Sequence, residues 1–97
     1  MKITNDIITG MDVIVLENNT VINRYSHVVA GAEIGDDCMI GEHVYIAGRA
    51  IIGNRVRIQN INSIWDGVVL EDDVFVAPSV VFTNHRNPHD RADVTRN

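Results

Sequence analysis

Ile34-Gly35-Asp36-Asp37-Cys38-Met39-Ile40-Gly41-Glu42-His43-Val44-Tyr45-Ile46 decides the fold, because an isoleucine returns every sixth residue. Read outward, the series is Leu16, Ile22, Val28, Ile34, Ile40, Ile46, Ile52, Ile58, Ile64, Leu70, Val76 and Phe82, twelve positions without an interruption. Neither a helical period of 3.6 nor a simple strand alternation generates it. A fixed internal period is the signature of stacked repeats, here of hexapeptides wound into a parallel β-helix.

The rest of the hexad fits this reading. Four residues after each aliphatic stands a second, smaller residue: Thr20, Ser26, Ala32, Cys38, Val44, Ala50, Val56, Asn62, Val68, Val74 and Val80. The long aliphatic is expected to point into a narrow prism, and the second residue to fill the tighter corner. Corner residues bend the chain, some at positive φ, where Gly, Asn and Asp cost least. Three hexads make one coil of about 18 residues, so twelve hexads predict an all-β, single-stranded parallel β-helix of about four coils, with successive coils about 4.8 Å apart. Asn62 is out of character for its slot. Either it turns inward and must find partners, or the chain slips locally and exchanges it with Ile61.

The period divides the 97-residue chain. Residues 1–15 lack the inward aliphatic in frame and predict an irregular N-terminal cap with a short strand around Val13 to Leu16. Residues 16–84 are solenoid, and 85–97 read as a polar loop or tail. A core poor in aromatics (two Phe, two Tyr, one Trp) suits thin stacked layers. The net charge of −5 argues against a nucleic-acid partner. The absence of a signal-peptide pattern or an apolar run near 18 residues argues for a soluble, cytoplasmic protein without membrane contact. Cys38 falls in an inward slot and reads as a buried small hydrophobe. Asn18-Asn19-Thr20 matches a glycosylation acceptor in a turn, with no secretory context around it.

Several strings make the likeness to a known family specific. Tyr25-Ser26-His27-Val28, Gly31-Ala32-Glu33-Ile34-Gly35, Ile58-Gln59-Asn60, Gly67 through Leu70-Glu71-Asp72-Asp73-Val74-Phe75-Val76, and Val81-Phe82-Thr83-Asn84 with Asn87-Pro88 resemble the sugar N-acetyltransferases of the left-handed β-helix superfamily. Within it they are most similar to enzymes acetylating 3-amino groups of nucleotide-linked sugars for surface polysaccharide. The resemblance spans residues 22–88. It implies a left-handed coil, contrary to the usual handedness of parallel crossovers, and a homotrimer holding acetyl-CoA and the nucleotide sugar between subunits. In such enzymes the amine attacks the thioester directly, which calls for a near-attack geometry, an oxyanion donor and a proton acceptor.

The resemblance makes Asn84 the catalytic candidate, orienting the amine or steadying the oxyanion; by itself it would be an asparagine bonding backbone at a turn. His27 and His85 are the substrate-binding candidates, His27 otherwise reading as a surface residue. His43 reads as a solvated corner. His89 stands where the family often has Arg, which puts any anion contact there in doubt. No metal is expected: a zinc site needs three convergent ligands, and His27 and His43 occupy different hexad slots. Arg49, Arg55 and Arg57 point outward, as solvated charges or as contacts to CoA phosphates. Trp65 reads as an exposed interface residue or a stacking surface. Family members continue with further coils that form most of the CoA groove. Three readings therefore stand side by side: an acetyl-CoA-dependent N-acetyltransferase, a truncated non-catalytic trimeric β-helix, and a hydratase like the γ-type carbonic anhydrases, which share the hexad.

Overall fold

A computed structural model describes residues 1–82. Its strands are β1 (Ile7–Ile8), β2 (Ile14–Val15), β3 (Val21–Ile22), β4 (His27–Val28), β5 (Glu33–Ile34), β6 (Met39–Ile40), β7 (Val44–Ile46), β8 (Ile51–Ile52), β9 (Arg57–Ile58), β10 (Asn62–Ile64), β11 (Val69–Leu70) and β12 (Phe75–Val76). They form three walls: β1-β4-β7-β10, β2-β3-β6-β9-β12 and β5-β8-β11. Ile34, Ile40 and Ile46 fall on three different walls, as a triangular solenoid requires.

Register follows from the period. Ile22, Ile40, Ile58 and Val76 pair in sequence up one wall; Val28, Ile46 and Ile64 rise up a second, and Ile34, Ile52 and Leu70 up the third. These parallel pairings close three full turns between Ile22 and Val76, where the hexad count led to about four. Every one of these residues is at most 4% exposed. The neighbour preceding each aliphatic points outward, since side chains alternate along a strand.

The difference at the N-terminal end has a clear cause. Residues 1–16 travel round the same three walls in the opposite sense: Lys2 bridges antiparallel to Glu33, β1 pairs antiparallel with β4, and β2 with β3. A tight turn at Leu16–Thr20 reverses the chain (Leu16 N donates to Thr20 O, 2.8 Å), with Asn19 at φ 67°. Leu16, the first residue of the sixfold series, thus belongs to this reversed segment and is only half-buried. The segment uses the backbone groups that the first coil would otherwise leave open, through bonds such as Ile3 N to Ala32 O (2.8 Å) and Thr9 N to Ser26 O (3.1 Å). Ile3 closes the end of the core.

The small inward slots carry a recurring device. Thr20 Oγ1 donates to Gly35 O (2.8 Å) and accepts from Cys38 N (3.1 Å); Ser26 Oγ donates to Gly41 O (2.8 Å) and accepts from Val44 N (3.1 Å). Asn62 does the same with a longer arm. Its Nδ2 donates to Gln59 O (2.8 Å) and Ala77 O (2.9 Å), and its Oδ1 accepts from Val80 N (2.8 Å). Asn62 therefore turns inward with Ile61 outside, and no slippage occurs. A buried amide with all three groups partnered avoids the penalty an orphan would carry.

The corners separate two roles that the sequence merges. Left-handed residues recur every six positions, but alongside Gly31, Gly67 and Asp37 they include Tyr25, His43, Arg55, Ile61 and Ser79. Gly41 has no positive φ; it is glycine for space. Asn60 Oδ1, one coil on, accepts from Glu42 N at 2.8 Å, and a Cβ on Gly41 would lie 2.6 Å from that oxygen. The same brace links Asp36 N to Asn54 Oδ1 (2.8 Å) and Asn54 N to Asp72 Oδ1 (2.7 Å).

Candidate functional site

The wall of β4, β7 and β10 collects chemistry on its outer surface. Parallel pairing sets His27 beside Tyr45 and Tyr45 beside Ser63, and Trp65 follows Ile64 at the edge. The His27 and Tyr45 rings meet edge-on at 5.6 Å, and Tyr45 and Trp65 are tilted at 5.6 Å. On the adjoining corner Tyr25 stacks on His43 at 5.0 Å. Both tyrosines and the single tryptophan of the chain thus share one side of the solenoid.

His27 is held from the reversed N-terminal segment. Its Nε2 lies 3.2 Å from Asp6 Oδ2, while Asp6 Oδ1 accepts from Ala30 N at 2.8 Å. The Ala30 N–H, then the His27 ring, hold the Asp6 carboxyl below the ordinary value of 3.8. Arg55 does the same for Asp73 through a bidentate pair (2.7 and 3.1 Å). The sign follows by linkage. A carboxylate depressed in the folded state adds stability that is complete above its unfolded value and is lost as pH falls through the folded one. Thermal stability should therefore fall from about pH 4 downward, and Asp6→Asn or Asp73→Asn should flatten that fall. A pH series of melting curves on the wild type and both variants checks this; an unchanged acid limb in both would contradict it.

Asp6 could not be recognised from sequence, because residues 1–15 carry no period that would align it with His27. Of the sequence candidates, His27 is on this wall, half-exposed, whereas Asn84 and His85 lie outside the described residues, as does His89. His43 is drawn to Tyr25 and does not converge with His27, which pairs with Tyr45. Among the described residues no cluster of three His, Cys, Asp or Glu is placed to hold a metal. Cys38 is buried; burial pushes its thiol up, and Sγ donates to Gly53 O at 3.1 Å. It is a core residue. Arg55 is engaged by Asp73, while Arg57 stands on another wall between Met39 and Phe75.

Two cavities merit comparison. The larger, about 410 Å³, lies between Asp37, Arg55, Arg57, Asp73 and Phe75, but the Arg55 guanidinium there is already paired with Asp73. The other, about 310 Å³, opens above Tyr45 where Ser63 leaves the outer column without bulk, and is lined by Ile61, Ser63, Trp65, Ser79, Val81 and Phe82. Ile61 is 62% exposed at φ 60°, a conformation costing roughly 1–2 kcal/mol for a residue with a Cβ, and most for a β-branched one.

Residues 13–48 match the family described as bacterial transferase hexapeptide (six repeats). That match covers the reversal and the first coils of the solenoid. This match, over well under half of the chain, and the three-walled parallel solenoid fit the left-handed β-helix superfamily. The hexapeptide transferase family suggests acyltransferase-type function. No curated protein matches the chain. No helix of the described residues is long and apolar enough to cross a membrane.

Proposed function

We propose that the protein is an acetyl-CoA-dependent N-acetyltransferase acting on a nucleotide-linked amino sugar, as in the assembly of surface polysaccharide. The observation that carries this reading is the hexapeptide transferase match on a solenoid one wall of which holds a histidine fixed by a carboxylate beside aromatic rings. The resemblance of Leu70-Glu71-Asp72-Asp73-Val74-Phe75-Val76 and Val81-Phe82-Thr83-Asn84 supplies the finer assignment. The neutral sugar amine attacks the thioester carbonyl, the C–S bond breaks as the tetrahedral oxyanion collapses, and the amine proton leaves to an acceptor. Asn84 steadies the amine or the oxyanion. His85 and His27 contact the substrate, His27 in the orientation Asp6 imposes. A homotrimer brings a second flank to the site, and exposed apolar residues such as Val15 and Phe75 are available to such contacts.

The test is thiol release from acetyl-CoA with a panel of nucleoside-diphosphate amino sugars, with product mass as confirmation. Asn84→Ala should lower kcat/KM by about 10²-fold, the order seen on removing one oxyanion donor. Absence of both thiol release and acetyl-CoA binding with every sugar of the panel would overturn the proposal. Light scattering should give three times the chain mass.

A further inference from the structure

The cavity beside Trp65 is built by register. Ser63 is the one small residue in an outer column that otherwise carries His27, Tyr45 and Val81, and its lack of bulk opens a niche one coil high. Side chains of Ile61 and Trp65 bound it along the chain and Val81 on the next coil. Among the described residues the lining is neutral, with the Ser63 and Ser79 hydroxyls as its polar groups. Among these residues a phosphate or carboxylate finds no counter-charge.

Ile61 adds a second, independent observation. Its corner position demands left-handed backbone; in the same frame Asn19, Gly31, Asp37, Gly67 and Asp73 meet that demand cheaply, Tyr25, His43, Arg55 and Ser79 adopt it too, and Ile61 is the β-branched residue among them. A β-branched residue at φ 60° that is 62% exposed gains little burial to offset its strain. Strain of this kind persists where a site uses the side chain. Ile61 furnishes an apolar edge to the niche that Asn or Gly would remove.

We propose that this niche is a stacking site for one neutral planar heterocycle, a nucleobase. Naming the ring a nucleobase rests on the nucleotide-linked substrate proposed above; the niche, its neutrality and its size do not. A tryptophan flank and two hydroxyls suit a flat ring with edge donors and acceptors, since every base has a π-face to stack and polar edges to satisfy. A single niche of about 310 Å³ takes one ring system and no extended chain.

Trp65 is the only tryptophan, so its fluorescence reports on this site alone. The full-length protein is titrated with uridine, guanosine and their 5′-diphosphates. Saturable quenching is expected, similar for nucleoside and nucleotide and little changed by salt, because the lining bears no charge. Ser63→Leu, which fills the niche, should weaken it at least about tenfold, a loss of one good stacking contact. Ile61→Asn relieves the strained backbone and keeps the fold secure; it should weaken binding several-fold. No quenching by any of the four ligands, or quenching undiminished in both variants, overturns the proposal. Quenching by acetyl-CoA that Ser63→Leu abolishes, with none by nucleosides, also overturns it and assigns the niche to the acyl donor. Emission that changes with protein concentration alone assigns it to a second copy. Acetyl-CoA binding measured by calorimetry on Ser63→Leu separates the two proposals. Binding there without nucleoside quenching in the wild type sinks only the niche, and nucleoside quenching without acetyl-CoA binding sinks only the transferase.

Discussion

Ile52→Lys should leave the protein unfolded at room temperature, whereas Ile51→Lys should leave its stability within about 1 kcal/mol of wild type. The two isoleucines are adjacent, share β8 and differ only in the side of the wall they face: Ile52 is 2% exposed and Ile51 43%. Ile52 sits between Ile34 and Leu70 in its wall, so an ammonium there would be enclosed by aliphatic groups above and below. Burying an unpaired charge costs on the order of 5 kcal/mol or more even after relaxation. That is comparable to the whole stability of a domain, about 5–15 kcal/mol. At position 51 the same side chain stands in solvent opposite Glu33 and gains a cross-strand partner of opposite charge. Far-UV circular dichroism and urea titration of both variants decide it. Equal destabilisation of the two would mean that β8 does not have one inward and one outward face.

Gly41→Val is expected to be the second most damaging change, at about 3 kcal/mol, lowering Tm by roughly 12–24 °C for a chain of this size. The new Cβ would meet Asn60 Oδ1 at 2.6 Å and the backbone at Asn60 N and Gln59 C, both at 2.9 Å. Side-chain movement relieves only the first contact, and moving Asn60 away forfeits the bond to Glu42 N. Asn60→Gly in the Gly41→Val background should therefore restore only part of the loss. Gly67→Ala provides the contrast. Gly67 has φ 85°, but a methyl group added to its Cα would meet nothing within 4 Å, so the variant should lose only the conformational term of about 1–2 kcal/mol. If Gly41→Val proves no worse than Gly67→Ala, the brace between coils is not tight.

The walls were legible because one spacing encodes one direction: Ile34, Ile40 and Ile46 each announce an inward position, and a sixfold step places them on successive sides. The aromatic wall was half legible. His27, Tyr45 and Trp65 are outward by the same frame, but their juxtaposition depends on the eighteen-residue register that only three hexads per turn supply. Asn62 left two outcomes open, and the geometry of its three hydrogen bonds selects the inward one. What the period could not encode is the reversed N-terminal segment, where antiparallel pairing replaces the repeat and delivers Asp6 to His27. Nor did composition reveal which corners are strained, since Tyr25, His43 and Ile61 adopt φ values that sequence rules reserve for Gly, Asn and Asp.

Cross-linking at a fixed sequence distance tests the solenoid most directly. In a Cys38→Ser background, Ile51→Cys with Val69→Cys places two exposed thiols on register partners of a parallel pair. Their Cα atoms are then about 4.8 Å apart, within disulfide range. Mild oxidation should close this intramolecular bridge, while Ile51→Cys with Ser63→Cys, on different walls, should stay reduced. A bridge in the second pair and none in the first would contradict three hexads per turn.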